Sequence, residues 1–200
     1  GDDGSVPDDP AASQSTETDG TVRGDDAARL LDSAQRQYAA TDLVGAREDA
    51  YRALQTSGVT RFSPLWREAV DLVSRINTEI INSDAPAPQK VRYEVRRGDN
   101  LVRIASTFNT TVNALIRGNK NLTKASATIY PGMVFKIYKG DWSIAVHKSQ
   151  FLLLLYDDER IFKAYPVAIG RQGRTPVGTF RIHNKLREPA WTPPGKVIPY

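Results

Sequence analysis

The sequence predicts an α+β chain of several domains, and three observations support that prediction. Apolar residues recur at helical spacing through residues 25–82. Beyond residue 90 they mostly alternate with polar residues, as they do in half-buried strands. Between the two patterns lies Ala85-Pro86-Ala87-Pro88, which predicts a stiff, extended linker. We therefore divide the chain into segments 1–24, 25–83, 84–90, 91–139 and 141–200.

The first segment is acidic and almost free of apolar residues. Residues 1–24 consist largely of Asp, Ser, Thr, Gly and Pro. Such a composition cannot bury enough surface to offset the entropy lost on ordering. We expect residues 1–24 to be a disordered acidic segment.

Net charge changes sign along the chain. It is −7 over residues 1–26, −1 over residues 27–89 and +12 over residues 90–200. A basic body attracts polyanions, of which nucleic acid is one class and anionic cell-wall polymer another. No RNA- or DNA-binding motif accompanies the charge, and the basic residues alternate along strands as solvated faces do. We therefore expect no nucleic-acid partner.

Residues 25–83 predict three helices. Asp25 or Asp26 can cap the first, Thr41-Asp42 starts a second that ends at Gly58, and Ser63-Pro64 starts the third. The first two resemble a tetratricopeptide-type hairpin, although a repeat array needs about three repeats. Two roles stay open, a helical spacer or bundle and a partner-binding repeat. The apolar stripes are Ala27, Leu30, Leu31, Ala34, Tyr38; Leu43, Ala46, Ala50, Leu54; and Leu65, Ala69, Leu72, Ile76, Ile80.

Residues 91–139 predict the order strand, helix, helix, strand. The first strand alternates from Val91 to Arg96, the helices follow from Leu101 and from Thr111, and Val134 to Ile137 fill the closing strand. This segment resembles a LysM domain. The matching residues are Tyr93, Val95, Gly98, Asp99, Leu101, Ile104, Ala105, Phe108, Leu115, Asn119, Ile129, Gly132, Phe135 and Ile137.

The resemblance implies binding of N-acetylglucosamine-containing glycans such as peptidoglycan or chitin. In the family the sugar lies between the loop after the first strand and the loop before the second. Asn100 stands where Thr or Ser is commoner. Some residues of these loops also have a purely structural explanation. Gly98 and Gly132 are expected in turns whatever their role in binding, and Leu101 is expected in the core. The implied glycan-binding residues are Gly98, Asp99, Asn100 and Leu101, with Ile129, Tyr130, Pro131 and Gly132.

Residues 141–200 predict closely spaced strands, as in part of a β-rich, sandwich-like domain. A strand over Trp142–Val146 precedes a strand over Phe151–Tyr156 that is expected to be buried on both faces. The return strand is expected over Arg160–Ile169, and a further strand over Thr179–His183. Because the later strands of a sandwich are missing, we expect unpaired strand edges here.

This segment resembles the catalytic domain of L,D-transpeptidases of the YkuD type. The resemblance rests on Tyr165-Pro166-Val167-Ala168-Ile169-Gly170, on Thr175-Pro176-Val177-Gly178-Thr179-Phe180, and on Pro189, Trp191, Pro193 and Pro194. It implies acyl transfer between peptidoglycan stem peptides through a cysteine thiolate assisted by histidine. The family's histidine and its Ser-His-Gly-Cys motif follow the Thr-Pro-x-Gly element, so we expect them beyond Tyr200.

No catalytic residue can be assigned within these 200 residues, which contain no cysteine. Neither His147 nor His183 matches the family's histidine, and Ser149 lacks the Gly-x-Ser-x-Gly surroundings of a serine nucleophile. No acids or histidines have metal-ligand spacing, so no metal and no cofactor is expected. The apolar run Phe151–Tyr156 is far shorter than the ~18 residues of a membrane span.

The two resemblances together imply a peptidoglycan cross-linking L,D-transpeptidase that a LysM domain anchors to glycan strands. The alternative is a non-catalytic, peptidoglycan-binding LysM protein. Glycan strands and stem peptides are the expected partners, with a protein partner possible for the helical segment. The expected location is the cell envelope, after export.

Overall fold

A computed structural model describes residues 14–122 and 128–183, with side chains from residue 24. These residues are a mixture of helices and two small antiparallel sheets, which agrees with the predicted α+β class. The chain divides into two compact units, Gly1–Val167 and Ala168–Tyr200. The elements are α1 Gln14–Ala39, α2 Leu43–Gln55, α3 Pro64–Ile81, β1 Lys90–Glu94, α4 Leu101–Thr107, α5 Val112–Gly118, β2 Val134–Tyr138, β3 Trp142–His147, β4 Leu152–Asp157 and β5 Arg160–Pro166.

The helix starts follow the predicted caps in two of three cases. The Asp42 side chain accepts from Gly45 N at the start of α2, and Ser63 accepts from Trp66 N at the start of α3. By contrast, α1 begins at Gln14, so the prediction that residues 14–24 are disordered is wrong. Asp26 is paired with Arg29 within the helix. Extending a helix that has already nucleated costs little per residue, so α1 continues past the predicted cap. Residues 1–13 lie outside the described residues.

The three helices share a core built from the predicted stripes. Small alanines let α1 and α2 approach closely, and larger aliphatic side chains of α3 close the bundle. The linker packs against this core through Ala85 and Ala87. The fully buried members of the core include Ala34, Ala46, Ala50, Leu72, Val73, Ile76 and Ile80.

Strands β1 and β2 and helices α4 and α5 pack together around a hydrophobic core of their own. Their order along the chain is strand, helix, helix, strand, as predicted. The strands are antiparallel, with Val91 opposite Ile137 and Tyr93 opposite Phe135. The Tyr93 and Phe108 rings meet edge to face at 5.2 Å between centroids. The buried residues of this core are Val95, Leu101, Ile104, Ala105, Leu115, Leu122, Phe135 and Ile137.

The second sheet has the order β3-β4-β5, and both of its pairings are antiparallel. One face of this sheet packs on the helices, where Leu154 forms a cluster with Trp66 and Val70. The other face carries exposed Ile144 and Val146. On β4 itself, Leu153 and Leu155 of that face are only partly buried, so the prediction that this strand is buried on both faces is wrong.

Two further strand predictions differ from the structure. Phe151 precedes β4, has φ 50° and is 55% exposed, because the chain turns there between β3 and β4. The return strand β5 ends at Pro166 rather than Ile169. Residues 179–183 form no strand, and no described segment pairs with them. A strand needs a neighbouring backbone to accept and donate its hydrogen bonds.

Candidate functional site

The two predicted glycan-binding loops lie at the same end of the β1–β2 ribbon. Val95 N donates to Met133 O at 2.8 Å, and Gly132 N donates to Val95 O at 2.9 Å. Each loop turns at a glycine in the left-handed region, Gly98 with φ 87° and Gly132 with φ 88°. An L-residue with a side chain is strained in that region, so these glycines set the shape of both loops.

Asp99 and Asn100 use their side chains to hold the first loop. Asp99 Oδ2 accepts from Tyr93 OH at 2.7 Å and from Arg96 N at 2.8 Å. The bond from Tyr93, followed by that from Arg96, lowers the pKa of Asp99. Asn100 Oδ1 accepts from Arg103 N at 2.8 Å and so caps α4, a task that Thr or Ser would also perform. Both side chains are therefore committed to shaping the loop.

The other predicted contact residues divide into buried and exposed ones. Leu101 is only 8% exposed, and Ile129 packs partly against the same core. Tyr130 is 64% exposed, and its neighbours Pro131 and Gly132 are also exposed. Among the eight predicted residues, Tyr130 thus offers the large surface that a sugar ring could stack on.

Val102 is a neighbouring residue that the sequence interpretation missed. It follows Leu101 at the start of α4 and is 70% exposed. Exposed single hydrophobic residues are common on protein surfaces. Its place beside the first loop nevertheless adds apolar surface at this end of the ribbon. The sequence did contain a clue to this exposure, because Val102 is apolar but does not fall on the helical face that Leu101, Ile104 and Ala105 share.

His147, at the end of β3, is held by residues of the α2–α3 loop. Its Nε2 lies 3.1 Å from Arg61 Nη2, and its ring meets Phe62 edge to face at 5.0 Å. Burial, followed by the Arg61 charge, lowers the pKa of His147. A cation rather than a carboxylate orients this imidazole, so the arrangement lacks the base-orienting acid of a catalytic triad.

The second unit contains the most specific part of the transpeptidase resemblance. Gly170 N donates to Thr175 Oγ1 at 2.7 Å, which closes the loop before Thr175-Pro176-Val177-Gly178. Val177 and Phe180 are largely exposed, and His183 is exposed as well. Pro189, Trp191, Pro193 and Pro194 lie outside the described residues.

Neither a metal cluster nor a membrane span is found in the described part of the chain. Among residues 14–122 and 128–183, no group of three or more His, Cys, Asp or Glu could hold a metal ion. Within this same part of the chain, no helix combines the length and the apolar character needed to cross a membrane.

Comparison with known proteins identifies both β-containing segments. Residues 93–137 match the LysM domain family, and residues 141–200 match the L,D-transpeptidase catalytic domain family, YkuD. The chain therefore carries a LysM domain followed by sequence of the YkuD L,D-transpeptidase catalytic domain, as its residues predicted.

Two bacterial relatives are similar to about half of the chain. The protein named "Putative L,D-transpeptidase YkuD" of Bacillus subtilis (strain 168) is 34% identical over 102 residues, or 48% of this chain. Its namesake from Bacillus licheniformis is 31% identical over the same length. The match spans 62% of each relative. A crystal structure of a MoCVNH3 variant in complex with (N-GlcNAc)4 covers 34% of this chain and 46% of its own, at 19% identity and a TM-score of 0.24.

Proposed function

We propose that the LysM domain binds the glycan strands of peptidoglycan and thereby holds the transpeptidase-type sheet at the cell wall. The observation that supports this proposal is the exposed Tyr130 ring beside the two glycine-shaped loops, Gly98–Leu101 and Ile129–Gly132. An exposed aromatic face packs well on the apolar face of a sugar ring. Backbone amides of such loops can donate to the acetamido carbonyl. Glycan strands and stem peptides in the cell envelope are the proposed partners.

The chemistry of the family requires a thiolate that these 200 residues do not contain. In the proposed L,D-transpeptidase, the cysteine attacks a stem-peptide carbonyl and the acyl group then passes to an amine of a neighbouring stem. We propose that the 200-residue chain itself binds glycan and builds part of the catalytic scaffold. LysM binding would raise the local concentration of stem peptides around the catalytic domain.

The helical segment is proposed to serve as a structural layer of this scaffold. Trp66 and Val70 of α3 share a buried cluster with Leu154 of β4. Leu54 of α2, which belongs to the predicted hairpin, packs against the same cluster, so this apolar surface of the hairpin is covered within the chain. Its use within the chain supports the spacer or bundle role over the partner-binding role.

Sedimentation with purified peptidoglycan sacculi tests the binding proposal. The chain should pellet with sacculi and remain in the supernatant without them. If it stays in the supernatant with sacculi at low salt, the binding proposal is wrong.

The second candidate is a wall-binding protein without catalysis, in which the LysM domain acts without transpeptidation. A carbapenem forms an acyl adduct with the thiolate of an active L,D-transpeptidase. Mass spectrometry should find no adduct on these 200 residues. A gene whose downstream sequence encodes Ser-His-Gly-Cys, and whose longer product gains the carbapenem mass, supports the enzyme. A gene without that motif supports the binding protein.

A further inference from the structure

The LysM domain has a basic pocket that shares no residue with the two glycan-binding loops. The cavity has a volume of about 320 Å³. Three basic side chains line it, Arg92 of β1, Lys136 of β2 and Lys120 after α5. The remaining polar side chains of its wall are Asp84, Asn119 and Asn121. The ionisable groups of the pocket therefore carry a net charge of +2.

Two of these bases lie directly opposite each other in the sheet. Arg92 on β1 is the register partner of Lys136 on β2. Like charges at directly opposed positions of an antiparallel pair repel and destabilise the sheet. Lys90, two residues earlier on β1, adds a third cation nearby, and the Lys136 charge is one cause of its lowered pKa. The sheet thus bears an electrostatic cost at this place.

The acid in the pocket neutralises this charge incompletely. Asp84 Oδ2 lies 3.8 Å from Lys120 Nζ, in an ion pair whose side chains are largely exposed. Lys136 Nζ donates to the main-chain oxygen of Asp84 at 2.8 Å, which occupies one of its three donors. Arg92 forms no side-chain hydrogen bond or ion pair with any of the residues that the structure describes. The guanidinium of Arg92 and the remaining N–H donors of Lys120 and Lys136 are therefore suited to bind a negatively charged partner.

We propose that this pocket binds an oxyanion, a carboxylate or a phosphate, carried by a cell-wall polymer. Arg92 supplies a planar fork suited to two oxygens, and Lys120 and Lys136 supply two further positive charges in the same pocket. Two wall groups share this chemistry. One is the free lactyl carboxylate of muramic acid residues that have lost their peptide, and the other is the phosphodiester of an anionic wall polymer. The proposal adopts the wall setting of the proposed function but does not depend on the glycan-binding loops.

Titration of the 200-residue chain with three probes, followed by the NMR shifts of backbone amides, tests the proposal. The probes are N-acetylmuramic acid, the phosphodiester glycerophosphoglycerol and the uncharged tetramer of N-acetylglucosamine. One of the two acidic probes should shift the amides of Arg92, Lys120 and Lys136, and which one does so identifies the source. The variant Arg92→Gln should weaken that binding about tenfold. The exposed control Lys139→Gln, with the same charge change, should weaken it less than about twofold.

Stability gives an independent readout. Because Arg92→Gln removes one member of the like-charge pair, it should raise the unfolding temperature of the ligand-free chain. The proposal is wrong if neither acidic probe shifts these amides, if Lys139→Gln weakens binding as much as Arg92→Gln, or if Arg92→Gln lowers the unfolding temperature. The uncharged tetramer reports on the loops alone. If it fails to shift residues 98–101 and 129–132, the proposed glycan function fails while the oxyanion result stands.

Discussion

The buried side-chain amide of Asn77 on α3 donates a hydrogen bond of 3.0 Å to the main-chain oxygen of Phe162 on β5. It also donates to Tyr51 OH at 3.0 Å, and that hydroxyl donates to Ile161 O at 2.9 Å. Farther along the strand, Ala164 N donates to Ser74 Oγ at 3.1 Å. β5 is an edge strand of the described sheet, so its outer backbone groups have no neighbouring strand to bond with. Side chains of the helices form hydrogen bonds with some of these groups instead.

Replacing Asn77 should therefore weaken the joint between helices and sheet. Asn77 is fully buried, and Asn77→Ala would leave a cavity and remove a partner from the Phe162 carbonyl and the Tyr51 hydroxyl. We expect the free energy of unfolding to fall by about 1–3 kcal/mol, measured by urea denaturation. The exposed control Asn113→Ala should change it by less than about 0.5 kcal/mol. Equal effects of the two substitutions would contradict this role.

A second joint connects the LysM domain to the transpeptidase-type sheet through Tyr138. Its hydroxyl donates to Asp157 Oδ2 at 2.6 Å, while Asp157 Oδ1 accepts from Asp141 N at 2.9 Å. Burial, followed by the hydrogen bond to Asp157, raises the pKa of Tyr138. Tyr138→Phe should lower the free energy of unfolding by about 1.5–3 kcal/mol, because the buried carboxylate loses a donor.

Tyr165→Phe is the matched control for that experiment, since it removes a hydroxyl from a partly exposed ring of β5. Urea denaturation of both variants measures the difference. If the two lose the same stability, the Tyr138–Asp157 bond does not stabilise the joint.

Stability should also depend on alkaline pH through Lys90. Its ammonium donates to Ser83 O at 2.5 Å and to Ala85 O at 2.8 Å. Burial, followed by the Lys136 charge, lowers the pKa of Lys90 to about 8, with Arg47 acting in the same direction and Asp84 opposing it. In the unfolded chain, Lys90 keeps the ordinary lysine pKa of about 10.4. Between these two values the unfolded state holds more protons, so stability rises with pH.

The comparison with Lys90→Met isolates this effect. From pH 8 to pH 10.5, the stability of the wild type relative to the variant should rise by about 1–2 kcal/mol, a figure reduced because Lys90 is only half-buried. Below pH 8 the difference should be flat. The exposed control Lys139→Met should show no such rise. If the stability of the wild type relative to Lys90→Met falls over this pH range, the pKa of Lys90 is not lowered by folding and the prediction is wrong.

The sequence predicted correctly those helices and strands that are determined by residues close together in the chain. Asp42 and Ser63 cap their helices because a polar side chain needs only the next turn of backbone. The strand, helix, helix, strand order of residues 91–139 also followed from periodicity and turn glycines. Phe151 was misplaced because hydrophobicity alone does not show where a tight turn ends and a strand begins.

The contacts between helices and sheet could not be predicted in the same way. Asn77 lies next to Ile76 on the buried side of α3, and a polar residue there needs a partner that the sequence does not name. That partner lies on β5, which is still an edge strand of the described sheet, although helix side chains bond to its Phe162 O and Ala164 N. The contact of Tyr130 with glycan stays a prediction, because its exposure shows an available surface and not a bound ligand.

The most direct test of the central proposal is sedimentation of the Tyr130→Ala chain with peptidoglycan sacculi, side by side with the wild type. Tyr130 is largely exposed, so its loss should leave the unfolding midpoint unchanged. Tyr165→Ala, at another exposed tyrosine, is the control. We predict that Tyr130→Ala lowers the bound fraction at least about fivefold while Tyr165→Ala binds as the wild type does. Equal binding by all three proteins would contradict glycan recognition at these loops.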